Sequence, residues 1–189
     1  MNRPRARSNA TIVDLKEAVA RGEMSAAYIL GRLYEEGWGV RRDSRQAFDW
    51  YLTAAEGGMP EADYHVGTAY AFGDGVGRDE KKALVWFRKA AQHGDTTAAY
   101  MEAVAVLEGL GTRAEPVRGW RLLTAAARRG SRDAMDDLAA AYLTRRRLRQ
   151  AEHWARRAAE AGDAVAPLRL REIRAMARAR PAAARRRPK

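Results

Sequence analysis

A period of 36 residues runs through this chain of 189 residues and limits what the chain can fold into. The shift of 36 superimposes these pairs: Gly31 on Gly67, Tyr34 on Tyr70, Gly37 on Gly73, Gly39 on Gly75, Val40 on Val76, Asp43 on Asp79, Ala47 on Ala83, Trp50 on Trp86 and Gly58 on Gly94. A fixed period between about 20 and 50 residues is typical of stacked supersecondary units. We therefore expect a repeat architecture in which each unit packs on the next.

The period weakens toward the end of the chain but keeps its phase. A third unit retains Tyr100, Gly109 and Gly111. A fourth unit, shortened by four residues, retains Tyr142 and Trp154. The predicted organisation is a disordered basic N-terminus (1–9), a repeat solenoid (10–178) and a disordered Arg-rich tail (179–189). The solenoid is divided into a half-repeat (10–25), repeats at 26–61, 62–97, 98–133 and 134–165, and a closing helix (166–178).

Each unit has the pattern of two helices joined by a turn. In the first unit Ala26, Leu30 and Tyr34 recur at helical spacing. Asp43 and Gln46 stand three residues apart, as a helix N-cap and its return partner do. No part of the sequence shows the alternation of apolar and polar residues that is typical of a strand. The sequence therefore predicts an all-α fold.

The tryptophans indicate where the core should lie. Trp50, Trp86 and Trp154 share one repeat position in the second helix, so we expect all three to be core residues. Trp120 is out of phase with them by two positions, and we expect it to fill the space beside Gly119. The core is thus predicted to lie between the two helices of each unit, where small residues permit a close approach.

The residues of the first unit carry a resemblance to a known repeat. They follow the pattern Ala-x-Tyr-x-Leu-Gly-x-x-Tyr-x-x-Gly-x-Gly-Val-x-x-Asp-x-x-x-Ala-x-x-Trp-Tyr/Phe-x-x-Ala-Ala-x-x-Gly. This pattern resembles the Sel-one-like repeat (SLR), a relative of the tetratricopeptide repeat. The resemblance covers about residues 10–178 and implies a right-handed α-α superhelix of about four repeats that binds proteins or peptides. Some secreted relatives have a disulfide in each repeat and are linked to β-lactam binding. This chain has no cysteine, so that property is not carried over.

The sequence contains no motif that supports a catalytic or cofactor-binding function. The glycines from Gly73 to Gly77 look like a dinucleotide loop, but Arg78 stands where the last glycine is needed and a helix precedes the loop. His65, His93 and His153 fall at three different phases of the repeat, which does not fit a metal site. We therefore predict a protein without enzymatic activity, cofactor or metal.

The resemblance to tetratricopeptide stacks implies that the first helices line a concave face. Transferring that geometry by phase selects a strip of residues that we expect to bind a partner: Tyr28, Arg32 and Glu35, then Tyr64 and Thr68, then Tyr100, Val104 and Leu107. Tyrosine offers a large contact area at a low entropic cost, and a hydroxyl for the partner's polar groups. The alternative is that these tyrosines only pack within the fold. Trp38, in a loop between two glycines, is a further candidate contact.

The net charge of +11 is concentrated at one end of the chain. Residues 166–189 carry nine basic side chains and one acidic side chain, whereas residues 1–165 are close to neutral. The alternative function is therefore association with nucleic acid or another polyanion through the tail. Its candidate residues are Arg180, Arg185, Arg186, Arg187 and Lys189. The competing explanation is compositional, because 30 of the 35 basic residues are arginine, as a GC-rich genome produces.

The remaining expectations concern the compartment and the partners. The sequence has no apolar run of about 18 residues, so we expect no membrane span. Charged residues interrupt the start of the chain, so we expect no secretory signal and a cytoplasmic location. We expect a protein or peptide partner and a monomeric chain, and the alternative partner is nucleic acid, bound through the tail.

Overall fold

The computed structural model describes the backbone of residues 5–179 and the side chains of residues 11–179. Ten helices make up this part of the chain, and no strand occurs within it. The helices are α1 (Arg5–Ala20), α2 (Met24–Glu36), α3 (Ser44–Glu56), α4 (Pro60–Phe72), α5 (Glu80–Gln92), α6 (Thr96–Glu108), α7 (Pro116–Arg128), α8 (Arg132–Thr144), α9 (Leu148–Glu160) and α10 (Ala166–Arg178). The predicted all-α repeat fold is confirmed.

The helices pack in the order in which they occur in the chain. The pairs α2–α3, α4–α5, α6–α7 and α8–α9 form the units, and contacts between successive units link each pair to the next. Buried alanines at equivalent positions, such as Ala54 and Ala90, allow the helices to approach closely. The result is a solenoid whose core extends along its whole length rather than around one centre.

One boundary differs from the sequence-based prediction. Helix α1 begins at Arg5, so residues 5–9 are helical where we predicted disorder. At the other end, α10 closes the stack against α9.

The aromatic residue that fills the gap between paired helices is not the predicted tryptophan. A Cβ added to Gly31 would lie 2.7 Å from the ring of Tyr51, and one added to Gly67 would lie 2.8 Å from the ring of Phe87. Tyr51 and Phe87 each follow the tryptophan position and are buried. Trp50 and Trp86 are only partly buried, so the prediction of a core role was wrong for these two.

The fourth unit keeps its tryptophan in the core. Trp154 is buried, and the following position holds Ala155, which is too small to fill the gap. The prediction for Trp154 is therefore confirmed.

The space beside Gly119 is filled by Leu107 and not by Trp120, which corrects a second prediction. A Cβ on Gly119 would lie 2.5 Å from Cγ of Leu107 in α6. Trp120 is partly buried and lies under the guanidinium of Arg145, 4.9 Å from its ring centre. Leu107 thus fixes the contact between α6 and α7.

Side-chain caps stand at the start of the second helix in the first and second units, which match the repeat pattern best. The Asp43 carboxylate accepts a hydrogen bond of 3.0 Å from the backbone N–H of Gln46, and Asp79 accepts an equivalent bond from Lys82. Each cap satisfies a backbone donor that the first helical turn leaves unpaired. The predicted role of Asp43 as an N-cap is confirmed.

The inner loops of the second and third units each touch the preceding unit through a glycine. Gly75, with φ of 75°, lies where a Cβ would overlap the backbone carbonyl of Ser44 at the start of α3. Gly111 has the same relation to the backbone carbonyl of Glu80 at the start of α5. Only glycine meets both requirements, the left-handed backbone and the close approach. These two contacts fix the spacing of successive units.

A buried ion network joins α3, α4 and α5. The carboxylate of Asp63 is 0% exposed, with the Lys89 ammonium 2.9 Å from one oxygen and Nδ1 of His93 3.1 Å from the other. Lys89 also donates a hydrogen bond of 3.0 Å to the carbonyl of Ala55 near the end of α3. One unit later, the Arg129 guanidinium donates to the carbonyl of Ala91, which is equivalent to Ala55. A carbonyl near the end of each of these second helices, which also accepts a backbone N–H, is thus bound by a cation from the next unit.

Candidate functional site

Two grooves open side by side along the first helices of the units. The first groove lies between α2 and α4 with α3 at its base, and has a volume of about 430 Å³. The second lies between α4 and α6 with α5 at its base, and has a volume of about 220 Å³. We call these the first groove and the second groove.

The two grooves are the same feature repeated one unit later. Most lining positions correspond at the shift of 36: Glu35 with Ala71, Ser44 with Glu80, Ala47 with Ala83, Phe48 with Leu84, Tyr51 with Phe87, His65 with Met101, Thr68 with Val104, Ala69 with Ala105, and Asp74 with Leu110. Phe72 lines both grooves and is 70% exposed, which is high for a large apolar residue. The substitutions between the units make the first groove polar and aromatic, and the second largely apolar.

The structure places four residues of the predicted strip in these grooves. Glu35, Tyr64 and Thr68 line the first groove, and Val104 lines the second. The hydroxyl of Thr68 donates a hydrogen bond of 2.8 Å to the carbonyl of Tyr64, which leaves mainly its methyl group and its oxygen lone pairs for a partner. Leu107 lies outside the grooves, over Gly119.

Arg32 of α2 and Trp38 of the loop after α2 form a separate contact. The guanidinium of Arg32 lies 5.7 Å from the ring centre of Trp38, and Trp38 is 58% exposed. The loop tryptophan is therefore held by a cation–π contact and still presents an apolar surface to solvent.

An aromatic cluster with one carboxylate lies at the end of the first groove. The rings of Tyr51 and His65 stack at 4.3 Å, and the hydroxyl of Tyr28 lies 3.4 Å from Nε2 of His65. The hydroxyl of Tyr51 donates a hydrogen bond of 2.5 Å to Glu35. Burial, together with this hydrogen bond and the charge of Glu35, raises the pKa of Tyr51 far above its ordinary value. Tyr51 therefore stays neutral and acts as a fixed donor to Glu35.

The same cluster holds His65 in its neutral form. Burial is the main cause that lowers the pKa of His65, and the charge of Arg32 acts in the same direction. Two carboxylates, Glu35 and Asp95, oppose this shift. The net effect is a pKa below the ordinary histidine value of 6.5.

Acidification is expected to destabilise the protein through His65. Below the ordinary pKa of 6.5, the unfolded chain takes up a proton at His65 that the folded chain resists, so stability falls as the pH falls toward the folded-state pKa. The substitution His65→Phe keeps a ring against Tyr51 and removes this proton. Urea unfolding at several pH values should show a smaller loss of stability in the variant than in the wild type. Equal losses in the two proteins would contradict the assignment.

The strip tyrosines reach from one unit to the next. Tyr28 meets His65, and the hydroxyl of Tyr100 donates a hydrogen bond of 3.0 Å to Asp137, a partner 37 residues later in both cases. For Tyr64, the residue 37 positions later is Met101, whose thioether is only a weak hydrogen-bond acceptor. The tyrosines of the strip therefore contribute to packing between units while their rings remain partly exposed.

Carboxylates collect where the strip ends, around Tyr100. Burial raises the pKa of Tyr100, and the charges of Asp137, Asp133 and Glu108 raise it further. Asp136 is also close, but Arg169 of α10 binds it with two hydrogen bonds of 2.7 and 2.6 Å. Among the side chains of residues 11–179, Glu108, Asp133 and Asp137 form no ion pair. We call these three residues the acidic end.

Sequence reasoning missed several residues of the site. We considered His65 only as a metal ligand. It follows Tyr64 directly in the sequence, and this position faces Tyr28 of the preceding unit. The exposure of Phe72 carries no signal in the period, because the other units have glutamate or threonine there. Asp137 likewise became a site residue only through its contact with Tyr100.

The remaining predictions concern metal sites, membrane spans and the basic tail. Between residues 11 and 179, no group of three or more side chains is arranged to hold a metal ion. No helix within residues 5–179 combines the length and apolar character needed to cross a membrane. The predicted polyanion-binding residues, Arg180, Arg185, Arg186, Arg187 and Lys189, lie outside the described residues.

Comparison with known families identifies the repeat. The family model described as Sel1 repeat matches residues 25–59, 60–95, 97–131 and 133–163, and the chain belongs to this family. Proteins of the family are generally scaffolds for protein interactions and are typically without enzymatic activity. No curated protein matches the chain.

Solved structures of bacterial proteins share the fold. The protective antigen c5321 of uropathogenic Escherichia coli, described as displaying an SLR fold, is 31% identical with a TM-score of 0.77 and is aligned over 84% of this chain. This chain spans only 35% of that protein. A Sel1 repeat protein from Oxalobacter formigenes is 25% identical with a TM-score of 0.73, over 88% of this chain and 76% of that one. Cysteine rich protein B of Helicobacter pylori is 21% identical with a TM-score of 0.50, over 64% and 92%.

Proposed function

We propose that this protein is a non-catalytic adaptor that binds a segment of a partner protein along the first and second grooves. The observation that supports this most strongly is the repetition of a groove in successive units, with strip residues Glu35, Tyr64, Thr68 and Val104 on the walls. A repeated groove suits an extended segment, because such a segment presents side chains at regular intervals.

Exposed apolar surface at the rims is consistent with this function. Phe72 stands between the two grooves, and Leu110 lies at the rim of the second. A folded chain gains nothing from leaving such side chains in water, and contiguous exposed apolar surface marks interaction sites. A partner that covers Phe72 would bury part of this area.

The double substitution Tyr64→Ser and Tyr100→Ser should reduce the binding of a captured partner by about tenfold or more, because two large contacts are removed. Partners are captured from a bacterial lysate on the wild-type chain, identified by mass spectrometry, and purified for titration against both proteins. The substitution Tyr142→Ser provides a matched control, since Tyr142 is a partly buried tyrosine of α8 outside the strip.

The control separates binding from folding. The double variant and the control should lose similar amounts of stability per tyrosine in thermal unfolding, while only the double variant loses binding. Equal binding by all three proteins would refute the proposed location of the site. Loss of the folded state in the double variant would redirect the test to Thr68→Lys, which places a charge in the first groove without removing a packed ring.

A further inference from the structure

The chemistry of the second groove and the acidic end specifies the kind of segment that this face accepts. This inference rests on the proposed function and narrows it to one class of partner. The two features lie on the same row of α6, because Tyr100, Val104 and Glu108 follow one another at intervals of four residues.

The second groove is suited to an aliphatic side chain. Leu84 and Phe87 form its base, and Met101 and Val104 form one wall. Its volume of about 220 Å³ exceeds that of a leucine or methionine side chain. The charged residues at its mouth, Arg78 and Glu80, pair with each other. The groove therefore offers apolar contact and no free charge of its own.

The acidic end supplies negative potential beside this groove. Asp137 accepts a hydrogen bond of 3.0 Å from Tyr100, the charges of Glu108 and Asp133 act on the same tyrosine, and Arg169 is already occupied by Asp136. The three residues are exposed and form no ion pair among the described side chains, so their carboxylates are accessible to a cation of a partner. This negative patch stands out on a chain whose net charge is +11. A basic partner would therefore be guided to this place on a body that is otherwise close to neutral.

We propose that the second groove and the acidic end together bind a partner segment that carries an aliphatic residue and, about three residues away, a lysine or an arginine. The spacing follows from geometry. Packed helices lie about 10 Å apart, and an extended chain advances about 3.3 Å per residue. A side chain seated between α4 and α6 is thus about three residues from one that reaches the gap between α6 and α8.

The direct contact between α6 and α8 explains why the apolar groove does not continue. These first helices touch each other, and the hydrogen bond between Tyr100 and Asp137 bridges them. The partner segment therefore meets a surface of carboxylates at this point instead of a third apolar groove.

Selection from a random peptide library tests the proposal with the full chain as bait. Selected peptides are synthesised with a fluorescent label and titrated by anisotropy. We expect enriched sequences to share an aliphatic residue and a basic residue about three positions apart. Changing that basic residue to glutamate should weaken binding by about tenfold or more, and raising the salt concentration should weaken the parent peptide.

Variants of the protein locate the two contacts. Asp133→Asn with Asp137→Asn should weaken binding of the selected peptide by about tenfold. Asparagine at position 137 can still accept the hydrogen bond from Tyr100, so the fold is retained. The matched control is Glu56→Gln with Glu160→Gln, which removes two exposed carboxylates elsewhere. Val104→Gln should weaken binding of the same peptide without changing its dependence on salt.

The outcomes distinguish this inference from the proposed function. Peptides that need Tyr64 and Tyr100 but are acidic, or lack a basic residue, would overturn the inference and leave the adaptor function standing. Peptides that bind the charge-reduced variant as well as the wild type would also overturn it. If folded protein enriched no peptide at all, the inference would fail, and the capture experiment with Tyr64→Ser and Tyr100→Ser would decide the adaptor function separately.

Discussion

Replacing Gly75 with alanine is expected to lower the free energy of unfolding by roughly 3 kcal/mol. Two costs combine at this position. Its φ of 75° disfavours any residue with a Cβ, and the added carbon would overlap the carbonyl of Ser44 and the backbone nitrogen of Arg45. Backbone atoms cannot rotate away as a flexible side chain does, so the second and first units would have to separate. Thermal unfolding followed by circular dichroism measures the loss.

Gly77 provides the matched control in the same loop. No atom lies within 4 Å of a Cβ added there, and its φ is not positive. Gly77→Ala should therefore change stability by no more than about 0.5 kcal/mol. If the two substitutions had similar effects, the contact between Gly75 and the start of α3 would not be important for the stacking of the units.

The substitution Lys89→Met is expected to cost about 3 kcal/mol, because it leaves the Asp63 carboxylate buried without its closest cation. Lys89 also binds the carbonyl of Ala55, so the contact between α3 and α5 weakens at the same time. Chemical denaturation of the purified chain measures the effect.

A second substitution separates the charge from the packing. Adding Asp63→Leu to Lys89→Met removes the buried carboxylate and should recover part of the lost stability, since apolar pairs replace buried ion pairs at little cost. Lys82→Met, at an exposed lysine 3.9 Å from Asp79, is the surface control and should cost less than about 1 kcal/mol. A double variant less stable than Lys89→Met would show that Asp63 has a stabilising role independent of Lys89.

The sequence was sufficient for the fold because the period and the helix signals agree. The shift of 36 identified the units, and the N-cap at Asp43 marked the start of α3. It was insufficient for the aromatic packing. Trp50 and Tyr51 are adjacent and both recur as aromatics, so the period cannot decide which of them faces Gly31. That choice depends on how the two helices are rotated against each other.

The candidate site was predictable only where it follows the repeat. Phase alone brought Tyr64, Thr68 and Val104 to the strip, and the grooves lie there. The features that give the grooves their chemistry depend on single substitutions and on long-range contacts. The bond between Asp136 and Arg169 spans 33 residues and has no equivalent in the other units. Such contacts become visible only when the units are stacked.

The glycine contacts between units have a consequence for how such a chain can change in length. Gly75 and Gly111 each touch the start of the second helix in the preceding unit, so within the first three units each joint has one half in a loop glycine and the other half in a backbone carbonyl of the unit before it. A segment inserted by duplication preserves both halves only if it spans a whole period of 36 residues. Shorter insertions would separate the glycine from its carbonyl. Units of this kind, and the grooves between them, can therefore be gained or lost only in whole steps.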